Sequence, residues 1–181
     1  MDIRHSFVSS FNYELPFGRG RHFLSNAPGI VNGVLGGWIA SGVLTKRTGF
    51  PLTIGESSDV SNTGSSGPRP NQLVNANLPS DQRSPNHWFN TQGFALQAPG
   101  TFGNAGTGTV RGPGMTTFDF GLQKRFLFSE RRYFELRAES FNLANTPVFN
   151  TVGQSFGTST FGTLTAAEDS RELQFGLKFA F

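Results

Sequence analysis

Cysteine is absent from the 181 residues. That excludes a disulfide framework, a thiolate metal site and a cysteine nucleophile. Charge is scarce: Asp, Glu, Lys and Arg make up 15% of the chain, against about 25% in ordinary soluble domains. No run approaches the roughly 18 apolar residues of a membrane-spanning helix. The first residues, Met1-Asp2-Ile3-Arg4-His5-Ser6, offer no apolar signal-peptide core. The Ala, Glu, Lys, Leu and Arg dominance of a coiled coil is missing as well. The net charge is +3, but the basic residues fall in scattered pairs such as Lys46-Arg47, Lys124-Arg125 and Arg131-Arg132. A nucleic-acid binder shows a basic stripe interleaved with aromatics, so no nucleic-acid partner is expected.

What is present is phenylalanine, 20 residues of it, with 23 glycines and 10 prolines. So much aromatic content excludes disorder for most of the chain. The dominant period is two. Over residues 4–15, His5, Phe7, Ser9, Phe11, Tyr13 and Leu15 alternate with Arg4, Ser6, Val8, Ser10, Asn12 and Glu14. This predicts an amphipathic strand, ended by Pro16-Phe17-Gly18. A short helical turn is expected over residues 28–35 and a second strand over 37–48. Alternation returns at Phe118, Phe120 and Leu122, then at Phe134, Leu136 and Ala138 after a turn at Phe128-Ser129-Glu130-Arg131. The last strand, over residues 170–181, carries Leu173, Phe175, Leu177, Phe179 and Phe181 on one face. Residues 56–114 and 142–169 read as long Gly-, Ser-, Thr- and Asn-rich connections. Loops of that length tend to be functional or mobile.

At least five strands of roughly 9–12 residues are therefore predicted, longer than the globular mean of about 5–6. Ten residues tilted by 45° cover roughly 23 Å, the span of a transmembrane barrel strand. A soluble sandwich shows the same alternation with its apolar face turned inward. A cell-surface β-rich binding or adhesion module, or a secreted β-sandwich hydrolase, is the rival reading.

Catalytic signals are weak, and no enzyme activity is expected. Asp119-Phe120-Gly121 matches a kinase tripeptide, but neither the Gly-rich loop nor the catalytic loop of a kinase accompanies it. His5, His22 and His87 form no metal-ligand spacing, and no G-x-S-x-G elbow marks a nucleophile. Neither a metal nor a cofactor is expected. Glu135, Arg137 and Glu139 share one parity and read as a lumen-facing ion-pair ladder. Trp88 and Phe89 could stack on a sugar or peptide ligand of the long loop, but a small hydrophobic anchor that folds the loop onto itself is the favoured reading.

Several motifs, taken in order, resemble a known family. They are Arg4-His5-Ser6-Phe7 with Glu14-Leu15-Pro16-Phe17-Gly18, Gly36-Gly37-Trp38 with Thr48-Gly49-Phe50-Pro51, Trp88-Phe89-Asn90, Gly103-Asn104-Ala105-Gly106 with Arg111-Gly112-Pro113-Gly114, Arg137-Ala138-Glu139-Ser140-Phe141-Asn142, and residues 171–179. Together they resemble the C-terminal barrel end of an Oar-like TonB-dependent outer-membrane receptor. The resemblance implies an all-β fold: an antiparallel transmembrane β-barrel segment, five or six strands of a barrel of about 22, incomplete on its own. The whole of residues 1–181 would be barrel, following a plug and TonB-contacting segment that this sequence lacks, and with them the export signal. The implied activity is import of a scarce large nutrient such as an iron chelate, glycan or peptide, across the cell outer membrane. The implied partners are outer-membrane lipid, the barrel-assembly machinery and, only through the missing plug, the TonB system. Leu173, Phe175, Leu177, Phe179 and Phe181 would form the membrane-assembly signal. With a periplasmic C-terminus, residues 16–36 and 128–131 are periplasmic turns, and residues 56–114 and 142–169 are external. An epitope near Ser65 would then be reachable on intact cells.

Overall fold

A computed structural model describes residues 2–64, 67–129 and 131–181. Ser65, chosen above for an epitope, and Glu130 of the expected turn lie outside the described residues. Five long strands form where the period-two pattern predicts them: β1 (Ser6–Glu14), β2 (Trp38–Arg47), β3 (Met115–Leu127), β4 (Tyr133–Phe141) and β5 (Glu172–Ala180). They make one sheet in sequence order. A seven-residue helix, α1 (Gly29–Leu35), sits between β1 and β2.

Neighbouring strands are antiparallel. Leu15 donates to the Trp38 carbonyl at 2.9 Å, and Thr48 donates to the His5 carbonyl at 3.0 Å. Ser41 of β2 reaches the carbonyl of Gly121 in β3. The register from β3 through β4 to β5 sets Lys124 beside Leu136 beside Leu177, and Arg125 beside Glu135 beside Lys178. Side chains alternate across a pleated strand, so the sheet has two unlike faces. One carries the rows Leu122–Ala138–Phe175 and Phe126–Phe134–Phe179; the other carries Gln123–Arg137–Gly176 and Gly121–Glu139–Gln174. The sheet is open, with β1 and β5 at its edges.

The chain divides into two compact units, one built from Phe7–Lys46, Thr116–Thr146 and Asp169–Phe181, which holds the sheet. The other gathers Met1–Ser6, Arg47–Met115 and Pro147–Glu168. Here the structure departs from the expectation of a mobile loop. Leu52, Ile54, Ala76, Phe89, Phe94, Ala105, Val110 and Val152 form a buried core, with Phe50, Trp88, Phe156, Phe161 and Leu164 packed on it. Phe161 meets Phe89, Phe94 and Phe156 edge to face, with centroids 5.1, 5.8 and 5.4 Å apart.

Regular structure in this unit is sparse. Pro51–Leu52 pairs with Val110–Arg111, Asn71–Gln72 with Phe94–Ala95, Gly55–Glu56 with Ser155–Phe156, and Phe149–Val152 with Leu164–Ala167. Asparagine side chains do the pairing that longer strands would have done. Asn104 Oδ1 accepts from Gln72 N–H, Asn71 Oδ1 from Asn104 N–H, and Asn77 bridges the Thr109 carbonyl and the Arg111 N–H. Buried backbone groups must find such partners. Two glycines of the recognised motifs sit where backbones touch. A Cβ on Gly49 would overlap the Gly112 carbonyl, and one on Gly103 would overlap the Arg69 carbonyl.

Candidate functional site

The polar face of the sheet holds the strongest charge cluster among the described residues. Glu135 is fully buried and accepts from Arg125 Nε at 2.5 Å and Arg137 Nε at 2.6 Å. Arg137 lies two residues along β4 and Arg125 directly across on β3, so the cluster depends on the β3–β4 register. Charge-assisted bonds of this kind are the strong ones. The Arg125 guanidinium also stands 5.1 Å from the Tyr133 ring centre, and Lys178, across on β5, stands 5.8 Å from the same ring.

The ion-pair ladder predicted from parity is thus corrected in its membership. Glu135 and Arg137 are paired, Arg125 joins them from the next strand, and Glu139 has no ion-pair partner among the described residues. Glu139 instead borders a hollow over Gly121, together with Asp119, Ser10 and Ser41. Glycine at 121 leaves that hollow open, since a Cβ there would stand 2.8 Å from Ser41 Oγ. Asp119 is anchored by the Asn142 N–H at 2.9 Å. The face as a whole presents fixed charges of both signs and hydroxyls. That suits transient contact with polar solutes.

The aromatic pair of the long connection packs as its hydrophobic anchor. Phe89 is wholly buried in the core of its unit. Trp88 donates its indole N–H to the Arg111 carbonyl at 2.9 Å, and the Arg83 guanidinium covers its ring at 5.4 Å. The pair is the internal anchor of that unit, because large apolar rings are worth more inside a core than exposed.

On the opposite face, Leu173, Phe175, Leu177 and Phe179 of β5 all stay exposed, Phe175 to 76%, and Phe181 follows them at 94%. Lys124 breaks the pattern of this face. It lies in the apolar parity beside Leu136 yet is almost fully buried. Its ammonium donates to the carbonyls of Val34, at 3.0 Å, and Gly36. The rings of Phe126 and Trp38 stand 4.9 and 5.6 Å from it. Sequence reading missed this residue, although a lone cation between Leu122 and Phe126 was the available signal.

Among the described residues no three His, Asp or Glu side chains gather to hold a metal ion. No curated protein and no solved structure matches the chain. The model of the outer membrane beta barrel domain matches residues 1–174. An antiparallel sheet of long strands, apolar on one face and charged on the other, is what such a barrel wall requires, and the chain belongs to the outer membrane beta barrel domain family.

Proposed function

We propose that the chain is part of the barrel wall of a TonB-dependent transporter, Oar-like in kind, that imports a scarce large nutrient such as an iron chelate, glycan or peptide. The transport part of this reading rests on the resemblance of the ordered motifs; the observation that supports its barrel-wall part is the two-faced open sheet. Its edge strands β1 and β5 run in the same direction, since five antiparallel strands separate into odd and even orientations. Closing β1 directly onto β5 would make a parallel seam. Bacterial barrels of antiparallel strands have an even strand number, so closure takes an odd number of further strands. The resemblance of the ordered motifs supports a barrel of about 22, the size that encloses a plugged lumen. The exposed row Leu173, Phe175, Leu177 and Phe179 counts against a soluble sandwich, which would cover it. The barrel has no enzymatic role in this reading, and the folded 56–114 segment stands outside the cell.

The test uses the protein that carries this chain, in its own outer membrane. Formaldehyde cross-linking in growing cells should yield an adduct with TonB. Absence of that adduct, while another TonB-dependent transporter in the same cells gives one, would refute the transport reading. The barrel-assembly reading of Phe181 has its own test. Deleting that residue should sharply lower the folded protein in the outer membrane, and an unchanged level would contradict it.

A further inference from the structure

The β1–β2 connection holds α1, whose sequence is Gly-Ile-Val-Asn-Gly-Val-Leu. At about 100° per residue, Ile30, Val31, Val34 and Leu35 cover one arc of roughly 140°. Asn32 faces the other way, and its Oδ1 accepts the Arg19 N–H at 2.7 Å. An apolar helical stripe is ordinarily turned into a core. Here all four apolar residues are exposed, Ile30 to 85%.

The end of α1 is fastened to the apolar side of the sheet. Trp38 Nε1 donates to the Val34 carbonyl at 2.9 Å, and Lys124 donates to the Val34 and Gly36 carbonyls. Trp38 and Lys124 share the face of Leu122 and Phe126, which membership of the barrel family turns toward lipid. A cation on a lipid-facing surface is costly unless its protons are satisfied. The last carbonyls of a helix are its natural acceptors. Lysine and helix therefore account for each other: α1 supplies the acceptors, and Lys124 holds α1 on the lipid side.

We infer that α1 is an interfacial helix whose arc of Ile30, Val31, Val34 and Leu35 lies in the phospholipid leaflet bordering this rim of the barrel. The apolar arc continues the lipid-facing surface of the sheet. The charge around it fits the same partner. Arg19 and Arg21 lie in the same connection, and Arg131 and Arg132 follow Glu130 in the β3–β4 connection at the same end of the sheet, so that with Glu14 the four arginines and two glutamates leave an excess of two positive charges. Glu14 is bonded to Arg21. Basic residues flanking an apolar arc suit anionic headgroups. The inference rests on the family's lipid-facing surface and not on TonB-dependent transport, so the two fail separately.

The chain contributes no cysteine, and the protein without the Ile30→Cys change, labelled in parallel, corrects for any site outside it. The protein carrying Ile30→Cys is spin-labelled and reconstituted in vesicles of phosphatidylethanolamine and phosphatidylglycerol. Collision rates with oxygen and with a water-soluble nickel chelate are then measured. Leu177→Cys serves as the lipid reference and Ser58→Cys as the water reference. The oxygen-to-nickel ratio at residue 30 should lie several-fold above the Ser58 value and near the Leu177 value. Adding Lys124→Met should free the helix and raise label mobility at residue 30. A ratio equal to that at Ser58 would overturn the inference. So would spin–spin broadening that vanishes on dilution with unlabelled protein, which would mean that a second copy covers the arc.

Discussion

Glu135 allows a quantitative test of the polar face. Its carboxylate is shielded largely by its own two partners, Arg125 and Arg137, whose side chains are about half exposed. Removing either arginine takes one charge-assisted bond from a carboxylate that keeps the other. The measured worth of such bonds, about 1.5–3 kcal/mol when shielded, falls toward about 1 kcal/mol at half-exposed sites. Each of Arg125→Gln and Arg137→Gln should therefore cost about 1 kcal/mol. The double variant should cost more than their sum. Leaving a buried charge unpartnered costs about 3–5 kcal/mol, and the low end applies because loss of both guanidiniums admits water. About 3 kcal/mol is expected for the pair, a coupling of about 1 kcal/mol. Lys178 lies directly across from Glu135 and could replace a lost partner. The cycle is accordingly run in a Lys178→Met background, by urea unfolding in phospholipid vesicles followed through tryptophan fluorescence. Additive losses, with the double variant near 2 kcal/mol (roughly twice the single-site value), would refute the reasoning and mean that water reaches Glu135 freely.

The folded unit of residues 47–115 and 147–168 gives two further expectations. Phe89→Ala removes the ring at its centre and should destabilise that unit by about 3–5 kcal/mol, whereas Trp88→Phe, losing one hydrogen bond, should cost about 1 kcal/mol; protease cleavage rates within residues 57–114 report both. Asp59 lies outside the strands, and bonds from the Ser61 hydroxyl at 2.6 Å and the Gly64 N–H at 2.8 Å hold its carboxyl below the ordinary range. A depressed carboxyl contributes stability that is complete above the unfolded value of about 3.9 and is lost as pH falls through the folded value. Protection of the Gly64 amide from exchange, corrected for intrinsic pH dependence, should fall over that acid window, and protection that holds throughout it would contradict the assignment.

The sheet was legible in the sequence because period-two alternation is a local signal. Phe118, Phe120 and Leu122, or Leu173 through Phe179, announce both a strand and its apolar face without knowledge of any partner. Lateral contacts were not legible in the same way. Arg137 could be placed beside Glu135 by parity along one strand, but Arg125 reaches it only through the β3–β4 register. The folded unit was hidden for a stronger reason. Its core draws single apolar residues from far apart, Leu52, Phe89, Val110 and Val152 among them. Its strand pairs are mostly two residues long, so no window shows a period. Its asparagines read as loop composition, whereas Asn71, Asn77 and Asn104 pair the backbone.

In the wall of an outer-membrane barrel the apolar face of such a sheet meets lipid and the charged face does not. A cysteine scan of β5, each site carrying a small fluorophore and quenched by phospholipids with a spin label on the acyl chain, tests it directly in reconstituted vesicles. Strong quenching is expected at 173, 175, 177 and 179, and weak quenching at 174, 176 and 178, in a strict period of two. Uniform quenching along the strand, or an alternation of opposite phase, would contradict the account.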